Sequence, residues 1–407
     1  MATNGIGPRS RSHLDQHLIT RLLGALLCGG LATACSESSG PTNPNPTPTP
    51  TVTWASLTAG QIHACGLTTG GIAYCWGGGY EGQLGNGATN DHSPSPLPVS
   101  GGISFASLTT SSYHTCGLTS GGVAYCWGWN GEGELGTADA TPRLTPAAVA
   151  GGLTFGKLTA GGEHTCGLTI AGAAYCWGSN VDGELGVGSP DSSAPYGRFT
   201  PVAVAGGLTF VGLSAGRAET CGVTGGGAAY CWGANGDGQL GTGDTVTRFA
   251  PTPVAGGLAF ASIIAAGSYA CGLTSGGVAY CWGSNGAGQL GTADTAPRLT
   301  PTPVAGGLMF ASLTADGLHT CGVTSTGAAY CWGENTVGGL GDGSIAQRAT
   351  PTPVAGALTF SSLAAGGLHT CGRTTDGAAY CWGWNANGQL GSGTMLDSHM
   401  PVAVTNP

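Results

Sequence analysis

Charge is scarce in this chain. Asp, Glu, Lys and Arg together make up only 8% of its 407 residues, and the formal net charge is −9. A chain so short of base has little with which to hold a phosphate backbone, which argues against nucleic-acid binding. Arg9, Arg11 and Arg21 lie near the N-terminus against only Asp15, so the remainder is more acidic still. Strong helix formers are thin beside 79 glycines and 23 prolines, and helical domains need the reverse. No apolar run approaches the ~20 residues that cross a bilayer as a helix. No nucleophile elbow, phosphate loop or paired-carboxylate pattern stands out. The chain is therefore read as a non-enzyme with no cofactor and no metal.

What is present points to an all-β fold. Hydrophobic residues make up 41% of the chain, enough to bury a core. They fall in short β-branched and aromatic runs between glycine-rich turns. The N-terminus reads differently. Residues 1–21 are polar and basic, Leu22–Ala34 runs uncharged for thirteen residues, and Leu31-Ala32-Thr33-Ala34 precedes Cys35. That is the order of a secretory signal; a short buried helix is the alternative. Ala32-Thr33-Ala34-Cys35 also resembles the lipobox of bacterial lipoproteins, with Ala32 where that family prefers Leu. The resemblance implies lipid on Cys35 and a membrane anchor; ordinary cleavage after Ala34 is the alternative. The Pro/Ser/Thr/Asn tract that follows reads as an extended tether. The expected division is a signal peptide over 1–34, a tether over 35–51 and a folded domain over 52–407.

Self-comparison dominates the rest. His114-Thr-Cys-Gly-Leu-Thr-Ser-Gly-Gly-Val-Ala-Tyr-Cys-Trp-Gly128 returns along the chain, its first cysteine appearing at Cys65, Cys116, Cys166, Cys221, Cys271, Cys321 and Cys371. The intervals are 51, 50, 55, 50, 50 and 50 residues. Periods of this size mean propellers or solenoids. In the second unit four short strands are expected: Phe105–Thr109, His114–Thr119, Val123–Gly128 and Pro146–Ala150. Val-Ala-Tyr-Cys-Trp shows no polar alternation, as strands packed on both faces require. Seven four-stranded units close into a seven-bladed β-propeller, with repeats over about 52–103, 104–153, 154–208, 209–258, 259–308, 309–358 and 359–407.

Motifs such as Cys281-Trp282-Gly283-Ser284-Asn285-Gly286-Ala287-Gly288-Gln289-Leu290-Gly291 strongly resemble the regulator of chromosome condensation repeat. The resemblance covers roughly 52–407 and implies the same seven-bladed propeller. It says less of function, since that family includes an exchange factor for a small GTPase and bacterial propellers that inhibit β-lactamases.

Fourteen cysteines form pairs ten residues apart: Cys65/Cys75, Cys116/Cys126, Cys166/Cys176, Cys221/Cys231, Cys271/Cys281, Cys321/Cys331 and Cys371/Cys381. Family relatives mostly carry other residues there. A three-residue hairpin loop, Ser120-Gly121-Gly122, sets Leu118 against Ala124, Gly117 against Tyr125 and Cys116 against Cys126. Opposed strand residues lie within disulfide reach, and export permits oxidation. Each closed loop contributes roughly 2.7 kcal/mol at most. Buried thiols, or metal held by His114, Cys116 and Cys126, are the competing readings. The histidine becomes Glu219 and Tyr269 in two units while both cysteines stay, which favours disulfides. The same register puts glycine opposite tyrosine in every unit, a ring over a residue without a side chain.

His63, His114, His164, His319 and His369 share one repeat position and read as structural histidines bonding a neighbouring loop. Arg143, Arg198, Arg248, Arg298 and Arg348 precede the last strand, with Ser93 and Ser398 there in the terminal units; they read as bridges between blades. Binding is expected where the repeats vary. Two sets vary: the pair before the histidine, and the residue after Cys-Trp-Gly. Tyr113, Trp129, Arg217 and Trp384 within them, with Tyr80 two residues past the second, are the candidates, being of the residue types that anchor interfaces. The third unit also carries five extra residues around Ser189–Tyr196. The expected role is an exported, monomeric scaffold that binds a protein or a cell-envelope ligand. A GTPase exchange factor and an inhibitor of a secreted enzyme such as a β-lactamase are the alternatives.

Overall fold

The hairpin that carries the cysteines sets the geometry of every blade. A computed structural model describes residues 52–191 and 197–407, and Pro50–Pro407 forms a compact unit. In blade 2, His114–Leu118 runs antiparallel to Ala124–Gly128, with Cys116 opposite Cys126, Gly117 opposite Tyr125 and Leu118 opposite Ala124. The register is the one expected. The turn needs glycine because Gly122 sits at φ +79, where a side chain is strained. Paired Cα atoms lie 4.1 Å apart, and Cys116 and Cys126 are joined as a disulfide. The same bond closes Cys65–Cys75, Cys166–Cys176, Cys221–Cys231, Cys271–Cys281, Cys321–Cys331 and Cys371–Cys381.

Two further strands flank this hairpin. Ser107–Thr110 pairs with its first strand and Arg143–Ala148 with its second. The first strand thus starts later than expected. Phe105 is tied across blades instead, its N–H donating to the Gly71 carbonyl at 2.9 Å. The last strand starts earlier, at Arg143. Seven four-stranded sheets form, each from consecutive strands. The first strands of successive blades touch, and Trp54–Ala59 of blade 1 meets Phe360–Ala365 of blade 7, which closes the ring. Among the described residues no strand is exchanged between the first and last blades, so the ring closes through the packing of these strands, side chains and loops. The outermost strands carry prolines, as in Asn90–Pro98 and Arg248–Pro253. Proline has no N–H to offer an incoming strand, which protects these open edges.

The core lies between blades. Cys65, Leu67, Ala73, Cys75 and Leu84 of blade 1 pack against Phe105 and Trp127 of blade 2. The ring over each hairpin glycine is not the tyrosine that faces it in register, which corrects the expected pairing. A Cβ on Gly117 would lie 2.5 Å from the Phe105 ring, so phenylalanine fills that space. Tyr125 meets the same ring edge-on at 6.3 Å. The larger Trp54 takes the phenylalanine place in blade 1. It packs against Trp76 and, across the seam, against the core of blade 7 around Cys371, Cys381 and Leu390. Its N–H donates to the Gly377 carbonyl at 3.0 Å.

Two outcomes are expected. Peptide mapping without reductant recovers each cysteine linked to the partner ten residues away, and a link between blades would overturn this register. Gly117→Ala drives a methyl group into Phe105 and lowers unfolding stability by about 1–3 kcal/mol in urea titrations.

Candidate functional site

An antiparallel four-strand meander has two ends. The loops joining strands one to two and three to four share one end, here the loop face. The cysteine-hairpin turns and the blade-to-blade connections share the other, the hairpin face.

The repeated histidines brace the blades beneath the loop face. His63 Nε2 lies 2.8 Å from Thr115 Oγ1 of the next blade, and His114, His164 and His319 meet Thr165, Thr220 and Thr370 in the same way. Thr115 Oγ1 donates to the Gln83 carbonyl at 2.9 Å, so it accepts from His63 Nε2–H. Trp127 Nε1 donates to that same carbonyl at 3.0 Å. The partner is therefore a strand threonine, and the loop is reached only through it, which corrects the expected histidine–loop bond. Burial holds these imidazoles neutral, with pKa pushed down to about 3 for His63, His114, His164 and His369 and about 4 for His319.

The belt changes at two places. Glu219 stands where histidine is expected, and Ala270 stands where its threonine would be. Glu219 turns instead to backbone, accepting from the Gly267 N–H at 2.8 Å and the Ala218 N–H at 3.2 Å. Tyr269 then replaces the next histidine, its hydroxyl donating to the His319 carbonyl at 2.6 Å. At the seam, His369 faces Ala64 rather than threonine, and neither of its ring nitrogens has a hydrogen-bond partner.

Above this belt the long loops are clasped internally. Asn130 Nδ2 donates to the Asp139 and Thr141 carbonyls, and its Oδ1 accepts the Leu135 N–H. Arg143 pairs with Asp139 at 2.6 Å, Arg198 with Asp191, Arg248 with Asp244, Arg298 with Asp294 and Arg348 with Asp342. Each arginine closes its own loop, so the expected bridge between blades is corrected. Four of these loops also seat a glutamine side chain, as when Gln83 Oε1 accepts the Glu81 N–H at 2.9 Å. Glu134 and Glu184 take that place in blades 2 and 3. Burial drives them up to about 8 and about 7 respectively, and Glu219 up to about 8.

The two variable sets meet on the loop face. The N–H of the residue after Cys-Trp-Gly donates to the carbonyl of the residue before the histidine position: Trp129 to Tyr113 at 3.0 Å, Trp384 to Leu368 at 3.0 Å, Gly78 to Ile62 at 2.8 Å. Tyr113 and Trp129 are half-buried neighbours on blade 2. Trp384 is half-buried on blade 7. Tyr80 of blade 1 donates across the seam to Asn387 Oδ1 at 2.7 Å. Four of the five expected residues thus lie on the consecutive blades 7, 1 and 2. Arg217 is exposed on blade 4, apart from them. Tyr80, Tyr113 and Arg217 are each engaged with a neighbour. The carboxylates of blades 2 and 3 were not singled out from sequence; their signal was the loss of Gln from Gly-Gln-Leu-Gly at Glu134 and Glu184. Cys35 and residues 192–196 of the third unit's longer loop lie outside the described residues.

These groups make opposite demands on pH. Histidines depressed from 6.5 toward 3 contribute stability that is present above pH 6.5 and lost as pH falls toward 3. Raised glutamates contribute stability that is present below their ordinary value and lost as pH rises through about 7 to 8. Glu134→Gln with Glu184→Gln is expected to flatten the alkaline decline in melting temperature and leave the acid limb unchanged. Ala64→Thr gives His369 the hydroxyl other blades supply, and chemical denaturation is expected to show a gain of about 1 kcal/mol.

Comparison with known proteins follows this geometry closely. A profile of the regulator of chromosome condensation (RCC1) repeat matches residues 70–118, 121–168, 226–273, 276–322, 326–372 and 376–407, and a second profile of the repeat matches 105–134, 157–184 and 360–389. The ultraviolet-B receptor UVR8 of Arabidopsis thaliana is 36% identical over 92 residues, covering 22% of this chain and 21% of that one. RCC1 domain-containing protein 1 of Homo sapiens is 35% identical over 80 residues, 19% and 21% of the two chains. The matched segments span about a fifth of these relatives. Among solved structures, Prp20p of Saccharomyces cerevisiae superposes with a TM-score of 0.73 at 23% identity, covering 87% of this chain and 88% of that one. Human WBSCR16 superposes at 0.76 and 20% identity, covering 83% and 94%. At these identities the structural likeness speaks for the fold.

Proposed function

The chain belongs to the regulator of chromosome condensation (RCC1) repeat family, and from that premise we propose that it works as an exported, lipid-anchored propeller scaffold whose loop face binds a protein or cell-envelope partner, and not as an enzyme. The observation that carries this reading is the meeting of both variable sets on one face, over a belt that repeats. A propeller that spends its repetition on scaffold and its variation on one surface is built for recognition.

The attachment point supports the same reading. The first strand of blade 1 begins at Trp54, on the hairpin face, and the preceding chain joins there. A chain anchored at Cys35 would thus enter the propeller through the hairpin face and leave the variable loops out of the attachment. The few described charges of the hairpin face, Lys157 and Arg373 against Asp376, do not oppose an anionic lipid surface. An exchange-factor role is the second reading. It is favoured by the likeness to Prp20p, whose crystal structure is described with its binding properties to Gsp1p and histones, and the secretory leader weighs against it.

Expressed in a bacterium, the precursor is expected to incorporate labelled palmitate, and Cys35→Ser to abolish the label. A label retained by that variant would remove the anchor from the proposal. With partners captured from envelope extracts, Trp129→Ala with Trp384→Ala is expected to weaken binding by about 2 kcal/mol or more while the melting temperature hardly moves. A large fall in melting temperature with unchanged capture would make these rings packing residues.

A further inference from the structure

The two faces of the propeller differ more in charge than in apolar exposure. Among the described residues, every carboxylate except Asp376 lies in the loops of the loop face or at the strand ends beneath them. The connections between blades, such as Val254-Ala255-Gly256-Gly257-Leu258-Ala259-Phe260, carry no charge, and neither do six of the seven hairpin turns. What remains on the hairpin face is Lys157, Arg373 and Asp376. Arg373 is committed to the seam, where it donates to the Trp54 carbonyl and to Ser361 Oγ. Lys157 is the only lysine of the chain. It donates to the Val211 carbonyl of the next blade at 2.8 Å, which uses one of its three donors.

The apolar groups of this face gather on one side. Ile72 and Val123 follow the turns of blades 1 and 2, Ile170 stands in the turn of blade 3, and Val211 opens the first strand of blade 4 beside Lys157; all four are exposed. Ile170, at 84%, is the most exposed large apolar side chain among the described residues. In blades 5 to 7 the position of Ile72 holds Val278, half-buried, Ala328 and Ala378, which leaves Met309 as the exposed large apolar side chain on that side. The turns that carry the tips need little from water. The Thr68 N–H donates to the Ile72 carbonyl at 2.9 Å, and Thr68 Oγ1 accepts the Ile72 N–H at 3.1 Å. Thr119 with Val123 and Thr169 with Ala173 make the same pair. A tip whose backbone groups are already paired leaves water at little cost. The loop face also exposes apolar side chains, Val246 and Leu396 among them, but they share it with the carboxylates.

The chain enters the propeller beside these tips. The Thr53 carbonyl accepts the Thr69 N–H at 3.2 Å, in the turn that carries Ile72. A tether limits distance and not orientation, so the chemistry of the two faces decides how an anchored propeller lies. An anionic lipid surface repels the loop face and accepts the other. We infer that the hairpin face of blades 1 to 4 rests on an anionic lipid bilayer, with Ile72, Val123, Ile170 and Val211 entering the interfacial layer and Lys157 meeting lipid phosphate. The inference takes its setting from the lipid-anchored reading but not its mechanism, since apolar side chains beside a cation hold to the interface without an acyl chain. Docked in this way, the variable loops stand on the side of the propeller opposite the lipid.

The test uses the full-length Cys35→Ser chain, which lacks the proposed lipid site, and vesicles of phosphatidylethanolamine and phosphatidylglycerol. A tryptophan is introduced on either face, by Ile170→Trp or by Leu396→Trp, and quenching by lipids brominated in their acyl chains is read against the parent chain. The fluorescence added by Ile170→Trp is expected to be quenched and that added by Leu396→Trp not. In flotation, Val123→Glu with Ile170→Glu is expected to weaken vesicle binding about tenfold, and Val246→Glu with Leu396→Glu, the same charge change on the loop face, by less than about twofold. Equal quenching at the two positions, or equal weakening by the two pairs, would assign binding to net charge or to the leader and overturn the docked face. Absence of vesicle binding would overturn it as well. A palmitate label on Cys35 of the parent protein without selective quenching would keep the anchor and discard the docking. Selective quenching in a protein that takes no palmitate label would keep the docking and discard the anchor.

Discussion

The structure depends on a single kind of contact, repeated from blade to blade. One loop carbonyl receives two donors from the following blade: at Gln83, Glu134 and Glu184 a threonine hydroxyl and a tryptophan indole N–H converge on the same oxygen. The histidine of the first blade then donates to that threonine. All these groups are buried, so each would be costly without its partner. The contact ties three features that sequence keeps far apart: a strand threonine, a strand tryptophan and a loop some thirty residues or more before them. The tryptophan stands in every repeat, while the residue just past Cys-Trp-Gly changes from blade to blade.

That dependence makes the exceptions informative. At Glu219 and Ala270 both members of one histidine–threonine pair are replaced together, and the new carboxylate finds backbone N–H groups instead. At the seam only one member is replaced, and His369 is left facing Ala64. The seam is compensated by bulk. Trp54 replaces the phenylalanine of other blades and bridges the two terminal cores, Trp76 Nε1 donates to the Gln389 carbonyl, and Tyr80 reaches Asn387. A ring without strand exchange is thus held shut by apolar area and a few hydrogen bonds. The disulfides add stability within hairpins but none crosses between blades.

The division of labour between faces follows from the meander. Hairpin turns must keep glycine at positive φ, and they do so in every blade, which leaves little room for variation. The loop face is clasped from beneath by asparagine and by arginine–aspartate pairs, so its tips can change without loosening the blade.

Strand pairing across a three-residue turn is local, and its period of two leaves one register that puts like positions face to face. For that reason the propeller, the hairpin register and the cysteine pairs were legible in the chain by itself: the same arithmetic that set Cys116 against Cys126 served every repeat. The variable positions were legible too, because seven copies of one unit act as their own comparison. What tertiary structure decided is what lies across a gap. Phe105, not Tyr125, covers Gly117, because the first strand folds back over the hairpin. His63 meets Thr115, because blades pack with a fixed offset that no single repeat contains. Arg143 closed its own loop, although Asp139 stood only four residues before it, since the direction of a long side chain is set by the loop it lies on. The carboxylates of blades 2 and 3 were not singled out in the chain, and it is the ring that sets Glu163 of one blade near enough to Glu132 and Glu134 of another to add to the rise in pKa that burial causes. Their charge was written in the sequence, and their proximity is a property of the closed ring.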